Sequence, residues 1–195
     1  MKEVYIEKKN VSFWSNKKFL TLLMGLFIIS IMVFSVLYYG LDSSGQEKVE
    51  YQGITFTQTN YGWQGYTDED ERILILTNPQ ELEGVPLPSG ISFSYLEHLP
   101  KVYVSFNPEN DMSSVLQDFQ ANVRASGYLT AACYEDSELC SELPIKTCVD
   151  ASESVGVVLF QYAEEDSVTL EGNCLTIQGK NLLMLTDKLI LDSYV

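Results

Sequence analysis

Histidine occurs once in 195 residues, as His98 in "YLEHLP", and that scarcity removes much of the usual chemistry. A Ser–His or Cys–His mechanism would rest on His98 alone, with no G-x-S-x-G beside it. H-E-x-x-H needs a second histidine, and neither a P-loop nor a dinucleotide fingerprint occurs. C-x-x-C is missing too, so a thioredoxin-like redox pair has no seat. Structural zinc wants paired ligands at C-x₂₋₄-C, and the four cysteines are spaced more widely than that. No catalytic, cofactor-binding or metal-ligating residues are expected. An enzyme whose site leaves no trace in the sequence is an alternative reading.

Positive charge is scarce beyond Gly40. Seven Lys and Arg (Lys48, Arg72, Lys101, Arg124, Lys146, Lys180, Lys188) face 25 Asp and Glu, a net of 7 − 25 = −18. That sign disfavours nucleic acid and anionic headgroups as partners of this part of the chain. So many carboxylates also make coincidental glycosidase-like pairs inevitable, and such pairs carry no signal. Asp68-Glu69-Asp70-Glu71 lacks the D-x-[DN]-x-[DN]-G pattern of a calcium loop. It is expected to be a solvated turn, as is Glu164-Glu165-Asp166.

Charge is absent altogether from Phe19 to Tyr39, "FLTLLMGLFIISIMVFSVLYY", a run of 21 residues. At about 1.5 Å per residue such a helix reaches roughly 31 Å, enough to cross a bilayer core. A cleaved signal would have a shorter apolar segment and an A-x-A-like exit. Here bulky Tyr38 and Tyr39 stand at the exit, residues suited to a membrane boundary. The segment therefore reads as an uncleaved signal-anchor. Lys2, Lys8, Lys9, Lys17 and Lys18 precede it against only Glu3 and Glu7. The positive-inside rule puts the N-terminus in the cytoplasm and the rest outside. The expected organisation is a basic cytoplasmic tail (1–18), a single-pass transmembrane helix (19–39), a polar linker (40–50) and an extracytoplasmic domain (51–195).

Cys133, Cys140, Cys148 and Cys174 all fall in that outer domain, where disulfides persist. An even count there reads as a disulfide framework with three pairings open to it. Cys133–Cys140 with Cys148–Cys174 is the favoured pairing: a short loop after a helix, and a strand entry tied to a later strand.

Alternation marks Ile54–Gln58 as a strand, followed by a short strand carrying Trp63 and Tyr66 and by Arg72–Thr77. Tyr51, Phe56, Tyr61, Trp63 and Tyr66 read as strand-packed core. A single helical turn is expected at Gln80–Glu83, and Lys101–Phe106 is another strand. "NPENDMSSVLQDFQANVRASG" reads as a helix with Asn107 as cap, Pro108 in the first turn and Gly127 as stop. Its packing stripe is Met112, Val115, Leu116, Phe119 and Val123. Val155–Tyr162, "SVTLE" and "CLTIQ" outline an antiparallel meander, and a helix from about Lys180 to Asp192 closes the chain. The expected fold class is α+β: a mixed, mostly antiparallel sheet covered by two helices and stapled by disulfides.

"LPIKTC" (Leu143–Cys148), "GNCLTIQGK" (Gly172–Lys180), the closing "DKLILDSYV" and the upstream "NPQELEGVPL" resemble blocks in a group of uncharacterised membrane-anchored archaeal proteins. The resemblance implies an N-terminal anchor, an external domain and paired cysteines, and carries no activity. The expected function is an extracytoplasmic binding or interaction module held on the lipid bilayer, with envelope proteins as partners. A pilin-like component is a further alternative, although "SNKKFLTLL" lacks the processing-site glycine expected before the apolar helix.

Overall fold

The computed structural model describes residues 17–42, 46–125 and 127–194. Most of the basic tail and residues 43–45 of the expected linker lie outside the described residues. The chain divides into two units at Gln46/Glu47. The first contains α1 (Lys17–Asp42), whose Lys17–Leu37 stretch has a mean hydropathy of 2.6 and buries none of its most apolar window. Tyr38 and Tyr39 continue this helix.

The second unit is α+β, but it is built on two sheets rather than one. β1 (Lys48–Tyr51), β2 (Ile54–Thr59), β3 (Gly62–Tyr66) and β4 (Arg72–Ile75) form an antiparallel meander in chain order. Its inward face holds Val49, Tyr51, Phe56, Trp63, Ile73 and Ile75. β1 begins inside the stretch read as linker. Four residues are too few for alternation to stand out, and the strand is defined by its ladder to β2.

The second sheet comprises β5 (Lys101–Phe106), β6 (Tyr128–Cys133), β7 (Val155–Tyr162), β8 (Ser167–Glu171) and β9 (Cys174–Gly179), in the order β6-β5-β7-β9-β8. β6, β5, β7 and β9 run parallel, and only β8 is antiparallel. The expected β7–β8–β9 meander is thus corrected: β8 and β9 are a hairpin through Gly172-Asn173, while β7 pairs with β9. The reason is burial. Gly156 to Phe160 are all buried, so β7 is covered on both faces, as a central parallel strand must be.

α2 (Ser113–Asn122) connects β5 to β6, and α3 (Leu182–Asp192) ends the fold. Phe119 of α2 meets Phe160 of β7 edge-to-face at 5.7 Å, placing α2 on the face that carries Val102, Val104 and Phe160. The connection from β6 to β7 instead crosses the other face, where the Ser105 hydroxyl donates to Lys146 O and Cys148 is bonded to Cys174. The first crossover runs from β5 to β6 and the second runs back from β6 past β5 to β7, and two right-handed crossovers that move in opposite directions along a sheet lie on opposite faces. The two disulfides are Cys133–Cys140 and Cys148–Cys174. Both staple this second crossover.

α2 is shorter than its sequence pattern. Asn107 caps only a local turn by accepting from Glu109 N, and Asp111 accepts from Ser113 N where the helix begins. The helix stops at Val123, not Gly127. Gly127 serves a close approach instead: a Cβ there would collide with Pro100 O, against which β6 starts. Gly179, at φ +150°, has the same kind of constraint, with the Asp166 carboxylate where a Cβ would be. Gly179→Ala should lower stability by about 1–3 kcal/mol, measurable as a shift in denaturant midpoint.

Candidate functional site

The residues singled out for chemistry are scattered. His98 is exposed at the end of a 3₁₀ turn, Phe93–His98. Asp68–Glu71 forms a turn between β3 and β4, in which the Thr67 hydroxyl accepts from Glu69 N and Glu71 N. Asp166 is structural: its carboxylate accepts from Lys180 N and from the Asn181 side chain at the start of α3. Those bonds, the Asn181 side chain first, hold its pKa below the ordinary carboxylate range. Tyr51, Phe56 and Trp63 are core residues as expected, whereas Tyr61 and Tyr66 are exposed. Among the described residues no group of three or more His, Cys, Asp or Glu is placed to hold a metal.

A shallow hollow lies where β4 begins and α2 ends. The Arg124 guanidinium pairs with Glu71 at its mouth, and Tyr194 Oη donates to Asn122 O behind it. Its cavity of about 70 Å³ has its one cation already matched to a carboxylate, and no reactive pair faces into it.

Two buried carboxylates went unnoticed in the sequence reading. Asp118 on α2 accepts from Leu76 N at 3.1 Å, and Asp187 on α3 accepts from Thr77 N at 2.8 Å. Asn122 takes the next position, accepting from Leu74 N and donating to Leu74 O. Together they satisfy the outer edge of β4 as another strand would. Burial, then the hydrogen bond and charge of Asp118, push the Asp187 pKa up to about 9, and burial raises Asp118 as well. Asp187 Oδ1 finds no donor among the described residues, yet the Asp118 carboxyl is its neighbour. Two carboxylates bond to each other only when one carries a proton, so the pair holds one between them. This is an edge cap, with no path for a substrate.

The β4 cap makes the other sheet edges worth comparing. β1 exposes Lys48 and Glu50 along its edge, and β8 carries Glu171 with Asp166 just before it. Such charges keep a sheet edge from accepting another strand. β6, "YLTAAC", carries none. Cys133 N donates to Pro144 O and Lys146 N donates to Cys133 O, so the main chain of Cys133 points outward and is matched. Tyr128 N points the other way, to Pro100 O. By alternation the N–H and C=O groups of Leu129 and Ala131 face outward, with no strand beside them among the described residues. Next to them runs an apolar groove of about 170 Å³, lined by Val104, Phe106, Leu116, Phe119, Leu129 and Ala131. An unmatched ladder beside an apolar groove can do one thing chemically: accept an extended segment.

The chain matches no protein-family model, no curated protein and no solved structure.

Proposed function

We propose that the chain is a membrane-anchored interaction module, with α1 in the bilayer and the α+β unit outside the cell. The observation that carries the reading is the edge of β6, uncharged and unmatched beside its groove. Location is supported separately. The large apolar side chains of α1 from Leu20 to Leu37 are exposed and need lipid or protein to cover them. Lysine excess before the helix favours a cytoplasmic N-terminus, and two disulfides with no free cysteine suit an oxidising exterior.

Protease added to intact cells stripped of outer layers should digest the Glu47–Val195 unit and spare an N-terminal tag, with the chain in the membrane fraction after alkaline extraction. A tag digested from outside, or a chain released by carbonate, would overturn the topology. The interaction itself is tested by Ala131→Lys, which places a charge on the β6 edge at an exposed position. It should abolish co-purification of the partner from detergent extracts while leaving the denaturation midpoint unchanged. Unchanged partner recovery would sink the reading.

A further inference from the structure

We propose that the partner at β6 is a second copy of this chain, joined through antiparallel β6–β6 pairing about a two-fold axis at Thr130. This rests on the interaction-module reading and names its occupant. The ladder is self-complementary. With the axis at Thr130, outward-facing Leu129 opposes the mate's Ala131 and Ala131 opposes the mate's Leu129, so each pair exchanges two main-chain hydrogen bonds. Moving the axis to Ala131 would set Leu129 against the mate's Cys133, whose outward groups are already taken by Pro144 and Lys146. The Pro144–Lys146 segment therefore excludes that register and ends the ladder before Cys133.

Side chains and charge agree with the axis at Thr130. Leu129 and Ala131 lie on the groove side of the sheet, and a large residue opposes a small one in both pairs, bringing the mate's Leu129 to the open groove beside Ala131. Lys101 pairs with Tyr128 at one end of the edge, while exposed Glu135 and Asp136 follow Cys133 at the other. An antiparallel mate sets cationic end against acidic end; a parallel one would set acid on acid. Between those ends, Tyr128 to Cys133 lets two copies of so acidic a domain meet along a strand that carries no carboxylate. Confinement of both chains to one membrane raises their effective concentration, so a short ladder suffices. The remaining mutual repulsion predicts that pairing strengthens as salt is added.

Thr130 points its main chain inward, so at the axis it forms a non-hydrogen-bonded pair with its mate, Cα atoms about 4.5 Å apart, within disulfide reach. The full chain carrying Thr130→Cys should therefore oxidise in membranes to a species of twice the chain mass. Thr169→Cys, on exposed edge strand β8, should stay monomeric, and Ala131→Lys added to Thr130→Cys should lose the cross-link. Equal cross-linking at Thr130 and Thr169 would mean random collision and would overturn the proposal, as would an adduct of Thr130→Cys with a protein of another mass. If the new cysteine disturbs the native disulfides, the unmodified chain in detergent decides: its mass should rise towards twice 22.0 kDa with protein and salt concentration. A monomer throughout refutes the proposal. A chain found outside the membrane fraction would instead count against the anchoring reading, since the cross-link can be read in solution as well.

Discussion

Asp187→Ala should destabilise the α+β unit by about 2–4 kcal/mol, the sum of an orphaned buried N–H and an unfilled hole. The N–H is that of Thr77, whose acceptor is the Asp187 carboxyl, and no solvent reaches the site to replace it. Asp187→Asn should behave differently. Its amide oxygen can accept from Thr77 and its amide nitrogen can donate to Asp118, so the shared proton is no longer needed. The two variants separate packing from protonation. In the native protein the folded-state pKa of Asp187 is raised to about 9. The folded form therefore keeps a proton that the unfolded chain releases. The stability this contributes is fully present below the unfolded carboxylate range, around pH 4, and is lost as pH rises towards the folded value. While a full extra proton is held, the loss is about 1.4 kcal/mol per pH unit. Urea unfolding followed through buried Trp63 should show stability falling from pH 6 to pH 9 in the native chain and staying level in Asp187→Asn. Equal slopes would mean that the pair holds no shared proton.

Asp166, Asp150 and Asp111 act at the other end of the pH scale. Each carboxyl is held below its ordinary range, chiefly by a side-chain hydrogen bond from Asn181, Lys146 and Ser113 respectively. With folded values depressed, they support the fold above the unfolded carboxylate range and cease to do so as pH falls through their own. The native chain should be most stable in mildly acidic solution, and Asp187→Asn should move that optimum upward.

Legibility in the sequence follows how local each signal is. "RILILT" and "KVYVSF" announced strands because alternation and β-branched residues are local properties, and β4 and β5 are found there. The pairing of strands is not local. "VGVVLF" is continuously apolar, the mark of a strand buried on both faces, and that feature identifies β7 as central in a parallel sheet. Read as one arm of a meander, it placed the sheet's direction wrongly. β6 was missed because its six residues alternate only weakly and sit between a helix and a cysteine region. The open edge of β6 was invisible for the same reason: an unmatched ladder is defined by which strand is absent beside it. Asp187 did leave a trace. A carboxylate inside "LLMLTDKLIL" faces burial wherever the helix packs, and a buried carboxylate requires partners.

Breaking Cys148–Cys174 should destabilise the unit more than breaking Cys133–Cys140. On loop-closure grounds the links span 26 and 7 residues, and the model assigns them about 3.5 and 2.5 kcal/mol. Position widens the gap. Cys148–Cys174 is the covalent tie between the second crossover and β9, on the face where Ser105, Val157 and Leu159 are buried. Without it that part of the cover is held to the sheet by hydrogen bonds such as Ser105–Lys146 and Asn173–Ser152, each weak beside a covalent link. Cys133–Cys140 closes a loop whose ends are already near, because Cys133 is bonded to Pro144 and Lys146 through its main chain. Cys148→Ser or Cys174→Ser should therefore lower the denaturation free energy by about 3–5 kcal/mol, and Cys133→Ser or Cys140→Ser by about 1–3 kcal/mol. Peptide mapping of protein isolated without reductant should recover both links and no titratable thiol. Four titratable thiols in that preparation, or equal losses from the two pairs of variants, would refute the assignment of the second crossover as the element these bonds hold down.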